Sequence, residues 1–303
     1  LRLLETPQGP TPLWSVPAAN LPLASAHPDR AVKIAETGAV LVSTLVGGNW
    51  TWIAGAGALS RAEMPGLEFS TAGGSTSFTI SAGRCADDTG SVLMVLAANH
   101  VTTAAPFVAG SGVGGLDTGA MPVSDGKWFH VFLIAKADGT TDILFSLSAT
   151  APTMPTGFIY KRRIFSGAAY LSSNVWMKVW QRGDDVLYDA SVLSVGAVIF
   201  TQDVRTAAVL AVPPQISVDA LVNLMIHHPS GACYVRLDNP SVSDQSLANG
   251  NHHLMQPSVG AYASTQVRVR TNIAQQITAR VTGGHATLWI NVLGFSDRRG
   301  RDG

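Results

Sequence analysis

Glutamate and lysine are nearly missing from this chain, which has four Glu (Glu5, Glu36, Glu63, Glu68) and five Lys among 303 residues. These side chains ordinarily cover exposed helix faces. Their scarcity, beside 30 Gly and abundant Ser, Thr and Val, excludes a helix-rich protein and predicts an all-β one. Charge of either sign is thin: charged residues make up 13% of the chain, twenty basic against twenty acidic. No net field exists to drive generic binding to nucleic acid or an anionic bilayer. No apolar run approaches the roughly 20 residues that span a bilayer as a helix, so no membrane insertion is expected. The longest, Val92–Ala98, has strand length and stops at Asn99 and His100. Cys85 and Cys233 are the only cysteines, too far apart for a chelating pair or redox motif. Two buried or idle thiols are expected rather than a disulfide. The chain opens at Leu1 with neither Met nor a basic-then-apolar leader, so either a start was removed or residues precede it, and no secretion address is legible.

The 46% apolar content, by contrast, suffices for one large or two medium domains with proper cores. Residues 1–30 carry six prolines (Pro7, Pro10, Pro12, Pro17, Pro22, Pro28), which withhold backbone donors and favour extended, non-sheet backbone. This predicts a Pro-rich extended N-terminal arm. Its apolar Leu3, Leu4, Leu13, Trp14 and Leu21 are expected to lie along another surface, such as a neighbouring subunit, the alternative being a flexible linker.

From Ala31 onward, short apolar or alternating runs are punctuated by Gly, Asp, Asn and Pro, as sandwiches and barrels require. The clearest strands are Val40–Leu45, Ser75–Ser81, Ser91–Ala97, Trp128–Lys136, Asp142–Ser148, Val175–Gln181, Val186–Asp189, Ala207–Val212, Ala232–Leu237, Ser264–Thr271 and Ala286–Leu293. Asp138-Gly139 is a hairpin dipeptide, so Trp128–Lys136 and Asp142–Ser148 should pair antiparallel. Val218–His228 fits helical spacing nearly as well as strand and is read as strand. Gly183-Asp184-Asp185 and a later shift toward Val, Asn and His place a domain boundary near residue 190. The reading is thus two β-sandwich domains, 31–190 and 191–303, behind the arm. No period of 20 to 50 residues suggests a propeller or solenoid.

Few residues point to chemistry. His227-His228 and His252-His253 invite a metal, but strand neighbours point to opposite faces and no Cys or carboxylate lies at ligand spacing, so no metal is expected. A glycosidase needs two facing carboxyl groups. The available pairs, Asp87-Asp88 and Asp184-Asp185, sit beside glycine and read as turn caps, without the spacing of a calcium loop. There is no nucleophile elbow or phosphate loop. The Gly-rich run Gly110–Gly115 opens no helix and reads as a flexible loop. Lys161, Arg162 and Arg163 are too few for a nucleic-acid footprint and suit structural salt bridges or a cross-subunit role. Trp50 and Trp52, alternating on a strand beside Gly47-Gly48, are the candidate glycan-binding platform, since a ring face stacks on a pyranose. Trp128, Trp176 and Trp180 lie within apolar runs and read as packing residues. No catalytic residue and no cofactor emerge.

The runs Asp125–Ile134 (DGKWFHVFLI), Thr141–Ser146 (TDILFS), Ala151–Gly157 (APTMPTG) and Lys161–Ile164 (KRRI), with Leu288–Ile290 (LWI) and Gly294–Asp302 (GFSDRRGRD) at the end, resemble tail-fibre and related virion proteins of tailed bacteriophages and gene transfer agents. The first run is also similar to a strand of laminin-G and concanavalin-like sandwiches, which implies jelly-roll-like domains. The resemblance implies a non-enzymatic structural protein on a virion exterior, a tail or baseplate-associated fibre. Its expected partners are its own copies in a homotrimer, other tail or baseplate proteins, and a host-surface glycan or protein held multivalently. A carbohydrate-binding module, a glycan-depolymerising tail spike and a head fibre or capsid decoration protein are the alternatives.

Overall fold

The computed structural model describes residues 63–119, 127–171, 175–247, 252–256, 258–283 and 285–299, and the backbone alone at 14–16, 31–34, 40–46, 49–54, 168 and 170. Among the described residues there is no helix, and the chain is all-β.

Strands β1 (Trp14–Val16), β2 (Ala31–Ile34), β3 (Val40–Val46) and β4 (Asn49–Ala54) form a small sheet in that order. β1 pairs parallel with β2, and the other neighbours pair antiparallel. The expectation of an arm without sheet is corrected at Trp14–Val16. These three residues lie between Pro12 and Pro17 but contain no proline, so their backbone donors remain available to a ladder. The rest of the arm lies outside the described residues, as do the side chains of Trp50 and Trp52 on β4.

The strands that follow are β5 (Phe69–Ser70), β6 (Ser77–Ile80), β7 (Gly83–Ala86), β8 (Leu93–Leu96), β9 (His100–Pro106), β10 (Val113–Leu116), β11 (Lys127–Lys136), β12 (Thr141–Ser146), β13 (Phe158–Tyr170), β14 (Val179–Arg182) and β15 (Asp185–Phe200). Beyond them lie β16 (Thr206–Val209), β17 (Asp219–His227), β18 (Cys233–Asp238), β19 (Leu254–Gln256), β20 (Tyr262–Arg270), β21 (Gln276–Val281) and β22 (Ala286–Ser296). A twelve-stranded sheet takes the order β13-β11-β12-β10-β9-β6-β5-β14-β15-β22-β17-β20, a four-stranded sheet the order β16-β21-β18-β19, and β7 and β8 form a separate hairpin.

The first part of the large sheet folds over itself. Phe165 on β13 and Phe69 on β5 stand at opposite ends of the run β13 to β5, yet their rings stack with centroids 4.3 Å apart. Between them Phe78, Phe129 and Phe145 meet the buried Trp176 edge-on at 5.1 to 5.7 Å, contacts worth about 0.5–1.5 kcal/mol each beyond area burial. In the second part, β17 buries Ala220, Val222, Leu224 and Ile226, and β22 buries Leu288, Ile290 and Val292. They share one core with Val235 and Leu237 of β18 and Ile277, Ala279 and Val281 of β21. Two facing layers, each alternating inward and outward, make the sandwich.

The ambiguous segment Val218–His228 holds a strand because its inward positions recur every second residue and both its edges are paired, to β20 and to β22. The Asp138-Gly139 hairpin forms as expected, with Gly139 at φ +86° between β11 and β12. Two readings are corrected. Gly183-Asp184 is the turn of the β14–β15 hairpin, with Gly183 at φ +59°, and the boundary placed near residue 190 falls inside β15, which carries the large sheet across that position. The Gly-rich run Gly110–Gly115 is only half loop. Val113–Leu116 is a strand between β9 and β12, and a side chain on Gly114 would lie 2.1 Å from the Pro106 carbonyl oxygen. Gly114 therefore serves close backbone approach rather than flexibility, while Gly110 and Gly112 supply positive φ in the turn before β10.

Candidate functional site

The β14–β15 hairpin places one aromatic ring in solvent. Its register pairs Val179 with Tyr188, Trp180 with Leu187, Gln181 with Val186 and Arg182 with Asp185. Val179, Val186 and Tyr188 turn into the core, so Trp180 and Leu187 point outward, 61% and 46% exposed. Trp180 was expected to be a packing residue, and the structure corrects this. Trp176 and Trp180 have the same sequence parity, but Trp176 precedes the ladder that begins at Val179, so strand alternation does not link them. Trp176 is fully buried and donates its indole N–H to the Thr76 carbonyl at 3.1 Å. Trp128 is partly buried and packs near Tyr188 at 6.2 Å.

Trp180 is held although exposed. Lys178 Nζ sits 5.1 Å over its ring and 3.1 Å from Asp189 Oδ1. Lys178 first, with a smaller contribution from Trp180, keeps the Asp189 carboxyl below its ordinary pKa. Beside the ring opens a cleft of about 610 Å³ lined by Glu68, Trp180, Gln181, Arg182, Asp185 and Leu187. The hairpin turn fixes much of its rim. Gly183 N–H donates to Glu68 Oε1 at 3.0 Å, and the Gln181 amide is anchored to Phe69 N–H at 2.6 Å and to the Gly183 carbonyl at 3.0 Å. Asp185 lies 3.3 Å from Arg268.

The acidic pairs singled out in the sequence are drawn into separate structural contacts. Asp87 accepts from Thr89 Oγ1 at 2.6 Å and from the backbone N–H groups of Thr89, Ser91 and Val92 at 2.7 to 3.2 Å. Burial by itself would raise its pKa, but these bonds outweigh burial and hold it low. Asp88 pairs with Lys161, and Asp184 lies 3.6 Å from Arg299. The Lys161–Arg163 run serves salt bridges, as expected: Lys161 reaches Asp88, and Arg163 reaches Asp297. Among the histidines, His227 stacks on Tyr262 at 4.5 Å, His228 Nδ1 accepts from Ser230 N–H, His252 lies against Tyr234, and His253 Nδ1 accepts from Leu237 N–H at 3.0 Å. Both thiols are free and buried, and burial pushes Cys85 up to about 12 and Cys233 to about 11.

Two buried polar clusters left no trace in the sequence pattern. His100 Nε2 meets Asp142 Oδ1 at 3.1 Å, and Asp142 Oδ2 accepts from Gly110 N–H at 2.7 Å, tying down the turn before β10. His130 Nδ1 lies 3.0 Å from Ser166 Oγ, both fully buried, with Arg163 and Asp297 alongside. This group holds the residue types of a hydrolase triad in the wrong arrangement. Ser166 Oγ accepts from Arg163, and the Asp297 carboxylate is engaged by Arg163 instead of orienting the imidazole. Burial first, and Arg163 second, depress His130 to about 3, too weak a base to activate a hydroxyl near neutrality.

Compared with protein-family models and with curated proteins, the chain matches none.

Proposed function

We propose that this chain is a non-enzymatic structural component of a phage or phage-like particle. It would be a tail or baseplate-associated fibre whose copies, in a homotrimer, attach to a host surface through many weak contacts. The observation that carries this reading is the exposed apolar surface of β15, a central strand of the large sheet, where Leu193, Val198 and Ile199 are 57%, 46% and 63% exposed. Ala197, at φ +52°, sits where the register shifts between Val195 and Val198, a bulge that re-aims the strand and leaves Val198 and Ile199 both outward. Large apolar side chains left in water favour burial against sister copies, and a symmetric assembly presents several adhesive surfaces together. The layered sheets make a sandwich, and its two parts are read here as jelly-roll-like domains.

Purified particles from the source strain provide the test. Mass spectrometry should find the chain in a fixed copy number, and electron microscopy should place it at the tail or baseplate. Its absence from particles contradicts the reading. The Trp180 cleft favours a second reading, a carbohydrate-binding module, which requires a stable monomer that binds sugar outside any particle.

A further inference from the structure

We infer that the cleft beside Trp180 holds one neutral pyranose unit of a surface polysaccharide, stacked on the indole and hydrogen-bonded by the rim. This deepens the adhesive reading above and rests on it only for the source of the glycan. A sugar ring presents a C–H face that needs an apolar floor and a girdle of hydroxyls that needs acceptors and donors at its edge. Trp180 and Leu187, cross-strand neighbours, supply the floor; Glu68 and Asp185 supply carboxylate acceptors, and Arg182 supplies a planar guanidinium donor.

Preorganisation separates this ring from an incidental exposed tryptophan. The indole is clamped by Lys178 and Asp189, and Glu68 and Gln181 are anchored to the hairpin turn, so binding would freeze few rotors. Lys178 occupies one face of the indole, which leaves the remainder of the ring to the cleft. The volume of about 610 Å³ lies within the range of small-ligand sites and suits a single unit of a longer chain. The charge pattern selects within the sugars. Glu68 and Asp185 are set against Arg182 on the rim and Arg268 beside Asp185, so the site carries no net positive charge to hold a uronate or sialate and admits neutral hexoses and N-acetylhexosamines. An apolar protein anchor would take the same carboxylates out of water while offering their remaining lone pairs no donor, at a desolvation cost that a ring of hydroxyls avoids.

The test titrates the full-length chain with tetrasaccharides of β-linked glucose, galactose and N-acetylglucosamine, and with tetragalacturonate as the acidic control, by calorimetry and tryptophan fluorescence. At least one neutral oligosaccharide should bind in the millimolar range or tighter, with a change in fluorescence, and tetragalacturonate should bind more weakly. Trp180→Ala should weaken binding about tenfold or more, while Trp180→Phe, which keeps a ring, should retain part of it. Trp180 is outward-facing, so circular dichroism should match the parent chain. Failure of every neutral sugar to bind, or equal affinity of Trp180→Ala and the parent chain, overturns the inference. Light scattering on the same samples separates the two readings: an assembled chain that binds no sugar removes only the cleft assignment, whereas a sugar-binding monomer removes only the particle.

Discussion

Arg163 on β13 donates two hydrogen bonds to Asp297, just past the end of β22, at 2.5 and 3.2 Å and across 134 positions of sequence. β13 is an edge strand of the large sheet and β22 lies deep in its other half, so this ion pair ties the two parts of the fold to each other. Both partners are largely buried, and Asp297 also accepts from Arg299 N–H at 2.9 Å.

Breaking that pair from one side should cost more than removing it. Arg163→Met leaves a buried carboxylate without its main partner and should lower unfolding free energy by about 3–5 kcal/mol. Arg163→Met combined with Asp297→Leu should recover most of the loss, because no charge is then stranded. Urea denaturation of the parent chain, both single variants and the double variant closes the cycle.

Acid should destabilise the fold in two windows. His130 is depressed to about 3 from an ordinary value near 6.5, so the unfolded chain takes up this proton first, and stability present above pH 6.5 is lost as pH falls toward 3. Burial opposes ionisation of Asp297, but Arg163 outweighs it and lowers the carboxyl pKa. The stability from Asp297 is complete above the ordinary carboxylate range, near 4, and is lost as pH falls through its depressed folded value. Thermal melts should show Tm falling between pH 6.5 and 4 in the parent chain, and His130→Gln should flatten that interval while leaving the steeper loss at lower pH.

Gly114 should tolerate no side chain. The Cβ of Gly114→Ala would lie 2.1 Å from Pro106 O and 2.6 Å from Ala105 O, both rigid backbone atoms, so the tight return from β9 to β10 must open. A loss of about 3 kcal/mol or more is expected. Gly74→Ala, at φ +61° with open space around it, should cost only about 1–2 kcal/mol, from backbone strain alone. Chemical denaturation midpoints of the two variants make the comparison.

What was legible in the sequence followed from local chemistry. The Asp138-Gly139 turn announced the β11–β12 hairpin, and β17 emerged because Ala220, Val222, Leu224 and Ile226 alternate. The role of Gly114 was hidden because the atoms that crowd it, on Pro106 and Ala105, come close only through the parallel return. The course of β15 was hidden because turn-like residues precede it and bulges interrupt its alternation. The candidate site was missed for a related reason. Trp180 belongs to an apolar run whose inward parity is reset where β14 begins, and no spacing within Val175–Trp180 reveals that reset. A clue was present in the flanking residues, since Lys178 and Asp189 bracket the hairpin and are of opposite charge, as a clamp on an exposed ring requires.

The outward face of β15 should be dispensable for folding and required for association. Leu193→Asp with Ile199→Asp places two charges on positions already 57% and 63% exposed, so circular dichroism and Tm should change little. The same charges would be buried unpaired in any interface formed by this strand, and sedimentation velocity should show the assembly dissociating.

Size-exclusion chromatography with light scattering on the full-length chain, at micromolar concentration and neutral pH, measures whether identical copies close over that apolar strand. The expected mass is three times the 31.7 kDa of one chain, unchanged on dilution to the nanomolar range. A mass of one chain at every concentration, from protein whose Leu193, Val198 and Ile199 remain in water, would contradict a self-assembling fibre.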